Sequence, residues 1–208
     1  MTAPVLLVIA GPNGSGKTTI TGRLRADHWS EGVEYLNPDD IARDKFGDWN
    51  SVEAVRNAAK YVTDRREALL AASRSLAFET VFSTPDKLDF LRRAREAGYF
   101  TRVFFIGTEH PRINAARVAD RVGRGGHTVP IEKIISRYGR SMSNLAAALV
   151  LAHRVYVYDN SVDGTDARLC ARTQEGALRK VYGRLPAWVE DAVTSVPRHV
   201  DFVDLRVA

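Results

Sequence analysis

The chain has one cysteine, Cys170, in 208 residues. It can form no internal disulfide, which excludes a cysteine-stapled secreted scaffold. It also lacks an apolar run of the ~20 residues that a membrane-spanning helix needs. The start, Met1-Thr-Ala-Pro4, has neither the basic segment nor the small-residue cleavage site of a secretory signal. These absences point to a soluble cytoplasmic protein. No internal repeat or low-complexity stretch occurs. Charge of one sign is not abundant either. The net charge is +5, with arginine outnumbering lysine, which suits anionic small ligands but is too small to call for nucleic acid. With 45% hydrophobic residues over 208 positions, the chain can fill one α/β domain with a full core.

What is present is concentrated at the start. Pro4-Val-Leu-Leu-Val-Ile-Ala10 reads as a buried parallel strand. It runs into Gly11-Pro-Asn-Gly-Ser-Gly-Lys-Thr18, which fits the pattern G-x-x-x-x-G-K-[ST] at every fixed position. Such a turn holds the phosphates of a nucleoside triphosphate. Gly11, Gly14 and Gly16 let the backbone curl with its N–H groups inward, and a helix starting near Gly16 adds the positive end of its dipole. Asn13, Ser15 and Thr19 complete the cradle. Lys17 is placed to reach the β- and γ-phosphates of ATP, and the Thr18 hydroxyl to hold Mg²⁺.

Val33-Glu-Tyr-Leu-Asn37 reads as a short second strand, broken by Asn37-Pro-Asp-Asp40 before a helix that begins near Ile41. Asp39 or Asp40 can cap that helix or lead its first turn. A carboxylate at this strand tip also lies beside the phosphate loop, where a kinase needs a base for the acceptor hydroxyl. Asp39 is the candidate base, and Asp40 the cap or the alternative carboxylate on the substrate side. From Ser51 to Ser75 the spacing is helical, as one long helix or two, with Val52, Val55, Ala59, Val62, Leu69 and Leu70 on the apolar face. The Arg65-Arg66 pair reads as a solvated face. Ser75-Leu-Ala-Phe-Glu-Thr80 is a strand whose polar end places Glu79 and Thr80 at the ligand-binding edge of a parallel sheet. A helix follows with Thr84 as its cap and Pro85 at its first position, stopping at Gly98, and Phe100–Gly107 is the next core strand.

Pro111 to about Val122 is helical and leads into Arg121-Val-Gly-Arg-Gly-Gly-His-Thr-Val-Pro130. Glycine hinges with basic residues suit a mobile lid, spanning about 117–140, whose arginines neutralise a transferring phosphoryl group on closure. Arg121, Arg124, Arg137 and Arg140 frame this loop, and His127 reads as a loop-shaping donor. Arg154–Asp159 is the last core strand. Its terminal Asp159 reads either as a Mg²⁺-linked carboxylate or as a structural or base-contacting residue. Residues 161–208 form a C-terminal embellishment, with an edge strand at Leu169–Thr173, a turn at Gln174–Gly176, a second short strand and a helix from Pro186 to Val193.

Strands alternating with helices predict a parallel sheet covered on both faces, a phosphate-loop three-layer sandwich in one domain over 1–208. No Asn-Lys-x-Asp occurs to read guanine, and there is no room for the extra domains of motor ATPases. A small kinase with a hydroxyl acceptor remains.

Several motifs in order carry a resemblance. Gly11–Thr19, Asn37-Pro-Asp-Asp-Ile-Ala42, Phe78-Glu-Thr80, Arg117-Val-Ala-Asp-Arg-Val122, Gly125-Gly-His-Thr-Val-Pro130, Arg137-Tyr138 and Tyr158-Asp-Asn160 together resemble the zeta-toxin family of phosphate-loop kinases. The chain is similar, more distantly, to chloramphenicol phosphotransferase. The resemblance implies that Lys17 and Thr18 hold ATP–Mg²⁺ and that Asp39 takes the proton of the acceptor. It implies that Glu79 and Thr80 help bind the acceptor, and that Arg121 and Arg137 contact phosphates. It further implies a UDP-N-acetyl amino sugar 3′-hydroxyl as acceptor and a small antitoxin protein as partner. Two other readings stand beside it: a kinase of another acceptor (nucleoside, dinucleotide or RNA 5′-hydroxyl), and a non-catalytic ATP-binding regulator.

Overall fold

A computed structural model describes residues 3–26, 31–47, 51–123 and 129–199. Its strands are β1 (Val5–Ala10), β2 (Glu34–Leu36), β3 (Leu76–Thr80), β4 (Phe100–Gly107), β5 (Arg154–Asp159), β6 (Arg168–Gln174) and β7 (Ala177–Val181). Its helices are α1 (Lys17–Ala26), α2 (Pro38–Phe46), α3 (Val52–Ala71), α4 (Asp86–Glu96), α5 (Pro111–Gly123), α6 (Ile131–Leu151) and α7 (Ala187–Val193). They form one seven-stranded sheet in the order β2-β3-β1-β4-β5-β6-β7. The first five strands are parallel, as alternating strands and helices require, whereas β6 and β7 run antiparallel. The cause is local. The link from Asp159 to Arg168 is shorter than the dozen or so residues a parallel crossover takes, and Glu175 and Gly176, at φ 50 and 74, turn the chain straight back into β7. β6 is therefore not an edge strand; it lies between β5 and β7.

β1 is apolar throughout because both its faces are covered. Leu6, Val8 and Ala10 point into the larger core, shared with α3, α4, α6 and α7 through Val62, Leu69, Phe90, Leu91, Leu145, Leu149 and Val189. Leu7 and Ile9 point into the smaller core with Ile20 of α1, Phe104 and Tyr156. Each fully buried large side chain of this kind contributes about 1.5–3 kcal/mol. Among the described residues no helix is long and apolar enough to cross a membrane.

Three local expectations change. α2 begins at Pro38 rather than near Ile41, and its cap is Asn37, whose side chain accepts from the Asp39 N–H at 2.9 Å. This leaves both aspartates in the first turn with their carboxylates outside the capping bond. α3 is one helix, but its buried positions are Ala54, Ala58, Val62, Arg66 and Leu69, and Val52 is 86% exposed. Small alanines let α3 lie close to its neighbours, a preference that hydrophobicity alone does not reveal. Arg66, read as solvated, is 5% exposed. At the start of α4 no side-chain cap bond forms, and Pro85 rather than Thr84 occupies the cap position.

Where β4 and β5 begin, His153 joins β4 to the end of α6. Its Nδ1 accepts the Thr101 N–H at 3.2 Å, its own N–H donates to Thr101 Oγ1 at 3.0 Å, and its ring stacks on Phe100 at 5.1 Å. Burial, followed by the nearby Arg95 charge, lowers its pKa against a small opposing pull from Glu175. The folded state thus favours the neutral ring. The resulting stability is full above about 6.5, the ordinary value, and is lost as pH falls from there through the lower folded value. A Tm profile should show this decline between pH 7 and 5, and His153→Gln should flatten it.

Candidate active site

The site lies where the parallel strands end. The phosphate loop leaves β1 between β3 and β4: the Gly11 N–H donates to Thr80 O at 3.3 Å, and the Ser15 N–H to Pro12 O at 3.3 Å. Two asparagines from elsewhere in the chain hold it. Asn114 on α5, fully buried, donates through Nδ2 to Asn13 O at 2.7 Å, and its Oδ1 accepts from the Thr108 hydroxyl. Asn160, just past β5, donates to Ser15 O at 2.8 Å, and its own carbonyl accepts from Arg117 at 2.7 Å. These approaches explain two glycines. A Cβ at Gly14 would lie 2.5 Å from Asn114 O and one at Gly16 2.3 Å from Asn160 Nδ2, and both residues have positive φ, +75 and +90. The Tyr138 hydroxyl of α6 donates to Thr108 O at 2.6 Å, tying that helix into the same brace.

Lys17 opens α1 and donates through Nζ to Gly11 O and Pro12 O at 2.8 and 2.9 Å. Burial pushes its ammonium down to about 8, and the Arg121 charge adds to the fall, while Glu79 and then Asp39 hold it up. One cation therefore feels residues from β3, α2 and α5, and the folded chain brings together Lys17, Glu79, Asp39 and Arg121. Asp39 is exposed and makes no ion pair among the described residues, whereas Asp40 pairs with Arg43 along α2 at 3.2 Å. Arg137 is half-buried on α6 and forms no hydrogen bond or ion pair among the described residues. Arg124 and His127 lie outside the described residues.

Glu79 is anchored. Its Oε1 accepts from the Thr21 hydroxyl at 2.5 Å and from the Tyr35 hydroxyl at 2.7 Å, and Asn37 Nδ2 donates to Tyr35 Oη at 3.2 Å. Burial and the Glu79 charge hold the Tyr35 phenol far above its ordinary range, so it acts as a donor. Thr80 is also occupied: its Oγ1 accepts the N–H of Phe82, a buried residue at φ 59 whose carbonyl is held by Asn144 Nδ2 at 2.9 Å. It shapes the exit of β3. The structural reading of Asp159 is the one its contacts favour, since Oδ1 accepts from Trp188 Nε1 at 2.9 Å and from Ser161 Oγ at 2.5 Å.

The residues present suit ATP and a hard divalent cation. The Thr18 hydroxyl is exposed on the first turn of α1 with no hydrogen bond among the described residues, a free oxygen ligand of the type Mg²⁺ takes. The Asn13 Oδ1 and Ser15 Oγ atoms in the loop are buried without hydrogen-bond partners among the described residues.

The fold has counterparts among known proteins. The family model described as Zeta toxin matches residues 1–169. A structure of the PezAT chromosomal toxin-antitoxin system of Streptococcus pneumoniae superposes with a TM-score of 0.56 at 16% identity, over 77% of this chain and 70% of that one. The AvrRxo1-ORF1:AvrRxo1-ORF2 structure with sulphate ions gives 0.61 at 20% identity, over 84% of this chain and 60% of that one. The form of that complex with ATP gives 0.59 at 18% identity, again over 84% and 60%. The chain thus spans about three-fifths of the AvrRxo1 chains. None of the curated protein sequences matches it.

Proposed function

We propose, since the chain belongs to the zeta toxin family, that it is an ATP-dependent kinase transferring the γ-phosphoryl group to a hydroxyl of a small molecule. One arrangement carries the reading: Asp39, exposed in the first turn of α2 just past β2 and in no ion pair among the described residues, is among the charges that hold up the Lys17 ammonium of the phosphate loop. A passive nucleotide switch needs no such base.

Each residue then has a task. Lys17 exchanges the Gly11 and Pro12 carbonyls for β- and γ-phosphate oxygens. Loop N–H groups and the α1 dipole hold the rest of the phosphate tail. Thr18 would ligate Mg²⁺, which when bound compensates charge on the transferring group. Asp39 accepts the proton of the acceptor hydroxyl as the new O–P bond forms. The bond between the γ-phosphorus and its bridging oxygen breaks, and ADP leaves with the electron pair. Arg121, and Arg137 from α6, would meet the charge that builds on the equatorial oxygens. Glu79, held by Thr21 and Tyr35, fixes the wall between loop and acceptor.

The acceptor fitting the family best is a UDP-N-acetyl amino sugar through its 3′-hydroxyl. PezAT is a toxin-antitoxin system, and AvrRxo1-ORF1 is paired with AvrRxo1-ORF2; both support a small protein partner here too. The test is incubation with γ-labelled ATP and a metabolite extract, followed by identification of the labelled product. A labelled sugar nucleotide supports the specific acceptor, and another labelled alcohol supports the kinase alone. ATP binding without any labelled product ends the kinase reading.

A further inference from the structure

Arg66 is 5% exposed on α3, and its guanidinium carbon lies 4.6 Å from the Phe78 ring centroid and 5.2 Å from that of Phe90. Among the described residues its Nε has no hydrogen-bond partner, and its one hydrogen bond is a long one, 3.4 Å from Nη2 to Thr63 Oγ1. The acids near it are engaged elsewhere. Glu67 takes Arg93 in two bonds of 2.7 and 2.8 Å, and Asp86 is bonded by Lys87. Burial lowers the Arg66 pKa against weak support from those two carboxylates. Ring faces return only part of the hydration such a cation gives up.

The direction of the side chain gives this charge a use. Helical side chains lean toward the helix N-terminus, and the bond to Thr63 one turn back shows that Arg66 does so. α3 leads into the start of β3, so its N-terminus lies at the sheet edge where β3 finishes. Phe78 faces α3 from the opposite side of the sheet to Glu79, and Phe90 lies in the second turn of α4, which starts at the same edge. We infer that Arg66 is an anion-binding residue of the acceptor side, receiving a phosphate or carboxylate group carried by the molecule to be phosphorylated. This deepens the kinase reading and rests on it.

The test keeps the two apart. With the phosphate loop saturated by Mg²⁺ and a non-hydrolysable ATP analogue, inorganic pyrophosphate and malonate are titrated by calorimetry into the native protein, Arg66→Met and Arg66→Lys. Removing a charge-assisted hydrogen bond from a buried site is expected to weaken binding about 10–100-fold in Arg66→Met and less in Arg66→Lys. The tighter of the two probes identifies the group. Analogue affinity should stay the same in all three proteins, and its absence in the native protein would sink the kinase reading instead. The Tm of unliganded Arg66→Met should hold or rise, because an apolar side chain of similar volume replaces a poorly compensated charge. Equal binding of both probes by native protein and Arg66→Met, no binding by either, or an Arg66→Met protein that fails to fold, would each make Arg66 a packing residue and overturn the proposal.

Discussion

Lys17→Ala is expected to reduce phosphoryl transfer by at least about 10²–10³-fold, the usual cost of removing one preorganised charge from a transition state. The loss should fall on kcat as well as on KM, because the ammonium meets more negative charge on the oxygens of the transferring group than in the ground state. Its environment supplies a second signature. Burial holds Lys17 near 8, so in the ligand-free protein it is losing its proton just above neutrality. ATP binds the protonated form, and nucleotide affinity should therefore weaken as pH rises through about 8 toward 9. Calorimetric titration of an ATP analogue from pH 7 to 9 measures the slope, and Lys17→Met should abolish it. Native-like turnover in Lys17→Ala would remove the phosphate loop from the chemistry.

The parts of this site legible in the sequence are those whose chemistry is local. Gly11–Thr18 sits on consecutive residues, so its pattern carries strand, turn, helix and ligand together. The Gly98 stop of α4, at φ 82, is equally readable, since a left-handed cap is a property of one residue. What holds the loop in shape is not. Asn114 braces Asn13 across 101 positions of sequence, and neither it nor its neighbours carries a pattern that marks it. Asn160 follows Tyr158-Asp in a recognisable motif, but its bond to Ser15 depends on β5 lying two strands from β1. Arg66 shows the opposite failure. An Arg-Arg pair on a helix is ordinarily solvated, and only the approach of Phe78 and Phe90 from two other elements buries one of them. Its neighbour Arg65 stays at the rim, held by Glu34 at 2.6 and 2.8 Å. At α2 the residue types signal a capped start, and the cap itself falls on Asn37 rather than on Asp39 or Asp40. Asn37 caps, which frees Asp39 for chemistry that a capping carboxylate could not do.

Asp39→Asn tests that freedom most directly, and it should lower kcat by about 10²–10⁴-fold, the contribution of a positioned general base. The asparagine keeps the size of the side chain and leaves the Asn37 cap untouched, because the capping bond uses the Asp39 N–H and not its carboxylate. Protein stability should thus be unchanged in a melting curve. ATP analogue affinity should change little, since Asp39 ranks behind burial and Glu79 among the influences on Lys17. Glu79→Gln gives the contrast. Glu79 Oε1 accepts from two hydroxyls, Thr21 and Tyr35, so losing its charge disturbs α1 and β2 together and should lower stability along with activity. A base and an anchor are distinguished by that pairing of effects. If Asp39→Asn turned over at nearly the native rate while Glu79→Gln kept its Tm and lost its turnover, the proton would go to Glu79 and the roles of the two carboxylates would be exchanged.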